Sequence, residues 1–277
     1  MGSLPLVELV FIKFGGSIIT DKLHVACPRP KVIERLAGEV RAAQRTSGGL
    51  HILLGHGSGS FGHVVGQKYR VHEGITDGGN WQGYAETGAA AARLNRIVTD
   101  ILLANGVPVL SVQPSASARC RNGKLIHMEV HPIREALRHG LVPLVHGDVA
   151  FDEAQGCTII STEAVFAYLA HQFTPARIVM VGEVEGVYDR DPTVYAEARR
   201  VPRITPVTFV EIEAQLGGSH GVDVTGGMLS KIREMVTLVA QGVTQRVHLI
   251  SGQREGALTR VLLDPQATEG TVIEADR

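Results

Sequence analysis

Short apolar runs alternate with helix-like stripes along this chain, and several of the runs end at glycine with polar neighbours. Residues 7–12, 51–54, 107–110, 141–145, 178–181 and 247–250 are rich in β-branched and leucine side chains and read as strands. Between them, Val32, Ile33, Leu36 and Val40, then Leu94, Ile97, Val98, Ile101 and Leu102, recur at helical spacing. A repeated strand–helix–strand order leaves few solutions, because the crossover connections are right-handed and lay helices on both faces of a sheet. The expectation is an α/β fold with a mainly parallel sheet, one continuous domain divided into lobes at residues 1–177 and 178–277. Ligands in such sheets bind at the carboxyl ends of strands.

Two of those ends stand out. Gly55-His56-Gly57-Ser58-Gly59-Ser60-Phe61-Gly62-His63 follows the strand at 51–54, and Lys13-Phe14-Gly15-Gly16-Ser17 follows the first strand. Backbone without Cβ atoms turns sharply and brings N–H groups close to phosphate oxygens. Gly57 to Gly62 also fits a loose G-x-G-x-x-G pattern, but the acidic residues beyond it, Glu73 and Asp77, fall in a glycine-bearing loop and close no strand. Neither Ser58 nor Ser60 has the flanking glycines of a nucleophile elbow. A third glycine end is His146-Gly147-Asp148, and residues 115–128 read as a hairpin turning at Asn122-Gly123. Near the end of the chain, Gly226-Gly227 open a helix with Lys231 in its first turns, where free N–H groups favour anions.

With 277 residues and a net charge of -1, the chain has no general attraction for nucleic acid or an anionic membrane. An anionic ligand must be met by individually placed cations, which directs attention to Lys13, Lys22 and Lys231. Cys27, Cys120 and Cys157 stand far apart, as in a reducing cytosol, and no leader or spanning segment is evident, so a cytoplasmic protein is expected. A Walker loop is excluded because Gly123-Lys124 is followed by Leu125. His127 and His131 lack the correctly placed glutamate of H-E-x-x-H, and Pro132 interrupts a helix there, so no protein metal ligand is assigned.

Lys13 to Ser17, Gly147-Asp148, Gly186-Val187-Tyr188 with Asp191-Pro192, and Asp223-Val224-Thr225-Gly226-Gly227-Met228 with Lys231 resemble, in order, the motifs of the amino acid kinase family. Within it, Gly57 to His63 and Gly74-Ile75-Thr76 resemble the substrate turn of the isopentenyl phosphate kinases. The resemblance implies a three-layer αβα sandwich, commonly a homodimer. It implies transfer of the γ-phosphoryl of ATP, with Mg²⁺, to isopentenyl phosphate, the N-terminal lobe binding acceptor and dimerising and the C-terminal lobe binding ATP. Alternatives are a kinase for another small phosphate or phosphonate such as fosfomycin, or a nucleotide-binding sensor without turnover.

By the same resemblance, Lys13, Gly15, Gly16, Ser17, Ser58, Asp189, Gly227 and Lys231 would hold ATP. Gly57, His63, Asp148, Tyr84 and Ala85 would hold the acceptor, with Tyr84 limiting pocket depth. Lys22, His63 and Lys13 would act in catalysis, His63 as a donor rather than a base. Ser161-Thr162-Glu163 stands where many family members carry Ser-Gly-Asp, and Glu163 is left out of the implied catalytic set.

Overall fold

A computed structural model describes residues 8–75, 81–190, 192, 194–217 and 228–276. The elements in order are β1 (Glu8–Phe14), α1 (Gly16–Ile19), α2 (Pro30–Thr46), β2 (Leu50–His56), α3 (Gly59–Tyr69), α4 (Trp81–Ala104), β3 (Val109–Ser111), β4 (Arg119–Arg121) and β5 (Lys124–His127). Then come α5 (His131–Arg138), β6 (Val142–His146), β7 (Asp148–Asp152), β8 (Gly156–Ile160), α6 (Thr162–Phe173), β9 (Arg177–Gly182), β10 (Val187–Tyr188) and β11 (Arg200–Val201). The chain continues through β12 (Arg203–Ile204), α7 (Pro206–Gly217), α8 (Met228–Ala240), β13 (Arg246–Ser251), α9 (Ala257–Leu263) and β14 (Thr271–Glu274).

The main sheet has eight strands in the order β12-β14-β13-β9-β1-β2-β6-β3, and only β13 with β14 pairs antiparallel. Because β1 sits between β2 and β9, the two halves of the sequence share one sheet, with Lys13 opposite Gly55 on one side and Met180 on the other. Alternation along β1 then sorts its side chains into two cores. Val10, Ile12 and Phe14 join residues of α2, α4 and α9, while Phe11 meets Phe166 of α6 at 5.2 Å between ring centroids. Burying each of these large apolar groups contributes about 1.5–3 kcal/mol. Lys13 shares the Phe11 face, so its ammonium is delivered toward α6.

Local chemistry explains the boundaries. Pro30 is the first residue of α2, where its fixed φ suits a helix and its missing N–H costs nothing. Asn122 and Gly123 both take positive φ, 51° and 74°, which gives β4 and β5 the tight turn expected of that pair. Three features go beyond the sequence reading. The hairpin β7–β8 joins β4–β5 in a second, four-stranded sheet, and α7 lies where no element was expected. The glycine-rich stretch becomes helical from Gly59 onward, despite poor intrinsic propensity. Tertiary contact decides this: a Cβ on Gly66 would lie 2.8 Å from Ile159, and one on Gly83 of α4 would lie 2.6 Å from Tyr69. The small-residue face of α4 is therefore spent on close approach to α3.

Candidate active site

The carboxyl ends of β1 and β2 carry the two glycine turns, and parallel pairing through Phe14 opposite His56 sets them side by side. They touch backbone to backbone. A Cβ on Gly16 would lie 2.5 Å from Gly59 N, and one on Gly57 would lie 2.8 Å from Gly16 N. Only glycine permits this approach, which fuses two phosphate-sized turns into one surface. Gly15 N–H donates to Val181 O at 2.8 Å, so the first turn is also tied to β9. Ser17 and Ser58 are partly exposed beside the seam.

Beneath it lies a charged centre. Lys13 is 7% exposed, and its Nζ donates to Glu163 Oε1 at 2.7 Å. Glu163, in the first turn of α6, also lies 3.9 Å from Lys231 Nζ on α8. Burial opposes the Glu163 charge, but Lys13 and Lys231 together outweigh that and hold its carboxyl below the usual range. Glu163, which the sequence reading left out of the catalytic set, thus sits at the middle of this centre. The signal was present in the Ser161-Thr162-Glu163 step, where one more methylene replaces the shorter acid and still reaches the lysine. Ser161 caps α6 by accepting from Ala164 N, which orients that first turn.

Glu234 of α8 borders the same centre. Burial, then the Glu163 charge, pushes its carboxyl up to about 7 against the pull of Lys13. The folded protein therefore binds a proton that the unfolded chain releases near 4.5, and stability falls as pH rises between those values. Replacing Glu234 with Gln is expected to raise Tm at pH 8 but not at pH 4, by the equivalent of about 2 kcal/mol after discounting its partial exposure. Thermal melts of both proteins across that range check it, and a constant difference would remove the carboxyl's titration as the cause.

Past the second turn, His63 is exposed on the first turns of α3. Deeper, Asp148 is buried and accepts from Ser115 N at 3.0 Å and from Val149 N at 2.9 Å. Burial raises its pKa, against those hydrogen bonds. His146 Nε2 stands 3.7 Å from Asp148 Oδ2, and its ring stacks on His56 at 5.4 Å. Asn95 Nδ2 lies 3.1 Å from His56 Nε2, and His56 Nδ1 lies 3.0 Å from Gly57 O. A neutral imidazole accepting from Asn95 and donating to Gly57 satisfies both contacts. Burial keeps these rings neutral, His56 at about 3 and His146 at about 4. Two neutral imidazoles thus lie under the Gly57 turn, His56 hydrogen-bonded on both nitrogens and His146 stacked on it without a hydrogen bond of its own.

Tyr84 of α4 stacks on Phe151 at 5.0 Å and meets Trp81 edge-on at 5.8 Å, beside Val149 and Cys157. Ala85 is exposed on α4, on the flank opposite Gly83 and Thr87, which meet Tyr69 and Gly66 of α3. Asp189 lies in the β10–β11 hairpin, where its Oδ1 accepts from Arg199 N at 2.9 Å. Lys22 is exposed on the loop after α1, and no hydrogen bond or ion pair of its side chain is seen among the described residues. Gly227, residues 223–226, Asp191 and Thr76 lie outside the described residues. The structure thus brings together Lys13, Gly15, Gly16, Ser17, Gly57, Ser58 and Lys231, and adds Glu163.

The sequence pattern of the amino acid kinase family matches residues 8–251. The chain belongs to that family. It is 34% identical to an isopentenyl phosphate kinase of Methanothermobacter thermautotrophicus, over 92% of this chain and 95% of that one. The same identity holds with an isopentenyl phosphate kinase of Methanocaldococcus jannaschii, over 81% and 85% of the two chains. A solved isopentenyl phosphate kinase superposes with a TM-score of 0.81 at 30% identity, covering 96% of this chain and all of the other. The family assignment makes this chain a phosphotransferase, and the family match runs from β1 to the end of β13, so it includes both glycine turns.

Proposed function

We propose that this protein transfers the γ-phosphoryl group of ATP to isopentenyl phosphate, forming isopentenyl diphosphate. The observation that carries the reading is the seam between the Gly15-Gly16 and Gly57-Gly59 turns, with Lys13, Glu163 and Lys231 beneath it. Two glycine turns in van der Waals contact support a donor and an acceptor phosphate held close together, whose mutual repulsion catalysis would have to offset. An alkyl phosphate is already mostly dianionic near neutral pH, its second pKa being about 6, so its oxygen needs no general base. Lys13 and Lys231 would neutralise the ATP phosphates, and Lys22 the moving phosphoryl group. Glu163 pairs with Lys13 and fixes its direction.

The donor set of ammonium groups and glycine backbone suits a polyphosphate. No cluster of three or more carboxylate, histidine or cysteine ligands occurs among the described residues. The Mg²⁺ that we propose to accompany ATP would therefore be held chiefly by phosphate oxygens, where it supplies charge neutralisation. On the acceptor side, the contacting rings of Tyr84, Phe151 and Trp81 would offer an apolar wall to a short isoprenoid tail. We also assign acceptor binding to residues 1–177 and nucleotide binding to 178–277, as functional divisions of one sheet.

A homodimer in the cytoplasm is part of the same proposal. Strand β3 pairs only with β6 and leaves Leu110 exposed at the sheet edge, which supports a second copy there. No helix among the described residues is long and apolar enough to cross a membrane. The deciding assay is ADP formation from Mg·ATP with isopentenyl phosphate, dimethylallyl phosphate, fosfomycin and N-acetylglutamate. Fast turnover confined to the isoprenoid phosphates is expected. Turnover with fosfomycin alone would reassign the acceptor, and turnover with none would favour the sensor reading.

His63 tests the acceptor half of the site. His63→Ala is expected to raise KM for isopentenyl phosphate about tenfold or more while leaving KM for ATP nearly unchanged, since a donor is lost and no base is. His63→Gln, which retains a donor, should keep more activity than the alanine. A collapse of ATP binding with normal acceptor binding would place His63 on the wrong substrate.

A further inference from the structure

Within the loop bearing Lys22, Asp21 accepts from Leu23 N and pairs with His24, and both ends of the loop are fastened to one residue of α3. At its start, Thr20 is fully buried, and its Oγ1 accepts from Ser60 N at 3.0 Å while donating to Gly16 O at 2.7 Å. At its far end, Ala26 N donates to Ser60 O at 3.1 Å, and Cys27 N donates to Ser60 Oγ at 3.3 Å. Asp21 N closes the loop by donating to Cys27 O at 2.9 Å, and Thr20 bridges Pro28 across its neck. Ser60 is 5% exposed and its bond to Thr20 is buried, so losing that partner leaves a buried polar group unsatisfied. A Cβ on Gly59 would run into the Thr20 hydroxyl, so the joint also depends on the glycine turn.

We infer that Thr20 and Ser60 are positioning residues that register Lys22 to the acceptor turn. One hydroxyl, that of Thr20, joins the Gly16 turn, the first turn of α3 and the start of the Lys22 loop. All three polar groups of Ser60 are engaged with the two ends of that loop. Any shift of the acceptor turn therefore carries Lys22 with it, and the ammonium keeps its place relative to the acceptor phosphate. The inference rests on the reading that Lys22 stabilises the transferring phosphoryl group, and the test separates the two.

The experiment measures kcat and both KM values for Thr20→Val, Thr20→Ser, Ser60→Ala and Lys22→Met, and for Thr20→Val combined with Lys22→Met. Thr20→Val, nearly isosteric but without the hydroxyl, is expected to lower kcat about 10- to 100-fold with little change in either KM, as a misplaced catalytic group does. Thr20→Ser should restore most of that loss. In the Lys22→Met background, Thr20→Val should cost almost nothing further, because a residue that acts through Lys22 has nothing left to position. Should Thr20→Val fail to fold, the same cycle with Ser60→Ala applies. Full additivity of the two losses, or an unchanged kcat in Thr20→Val and Ser60→Ala, would overturn the positioning role while leaving Lys22 in place. Unchanged turnover in Lys22→Met alone would overturn both.

Discussion

Lys22→Met is expected to lower kcat by about 10²–10³ and to change the KM of either substrate much less, the pattern of a charge that acts chiefly on the transition state. The side chain is exposed on its loop and engaged in no ion pair among the described residues, so it is available to an incoming phosphoryl group. Its removal leaves no buried partner behind, and Tm should hold within about one degree. Lys22→Arg keeps the charge but spreads it over a larger planar group, and should recover only part of the rate. Steady-state kinetics with isopentenyl phosphate, beside a thermal melt, checks this. Wild-type turnover in the methionine variant would remove Lys22 from the mechanism, and a large fall in Tm would make the loss structural.

Glu163→Ala should be the most damaging single change to the folded protein. It leaves the Lys13 ammonium 7% exposed and without the carboxylate that lies 2.7 Å away, and breaking a buried pair from one side costs about 3–5 kcal/mol. For a chain of this size that corresponds to a fall in Tm of roughly 10 °C. Glu163→Gln retains an oxygen acceptor and should lose less stability, but it no longer offers Lys13 a charged partner, so KM for ATP should change in both variants. The pH dependence has a definite sign. The folded carboxyl is held below the ordinary value of 4.5, so its contribution is complete above that value and disappears as pH falls through the folded value. The difference in Tm between wild type and Glu163→Gln should therefore narrow below about pH 4.5. A difference independent of pH would mean that Glu163 acts through packing alone.

Much of the site was legible because glycine and lysine are locally encoded. Gly15 and Gly16 mark a strand end at any level of description, and so do Gly57 and Gly59. Lys13 and Lys231 were singled out by their neighbours in the chain. What escaped was pairing across long separations. Glu163 is 150 residues from Lys13, and it became visible only when β1 and α6 were set face to face. Thr20 and Ser60 are 40 residues apart and carry no motif that announces a shared hydrogen bond. The small residues of α4 show the same limit from another side. Small residues on α4 share a composition but not a direction, and the face that approaches α3 is not the one that bears Ala85.

Strand–helix alternation by itself determined the fold class, because apolar runs of that length and order can be buried only in a parallel sheet covered on both sides. It also determined where phosphate could bind, since backbone without Cβ atoms at strand ends is a property of the residues themselves. The tertiary structure alone decided that the two glycine turns meet, because that depends on β1 and β2 pairing in register. It decided too that Gly59 to Tyr69 forms a helix, since the helix is stabilised by contact with α4 and β8 and not by its own propensity. The charge of Lys13 was written in the chain. Its direction, and the glutamate that holds it, came from packing.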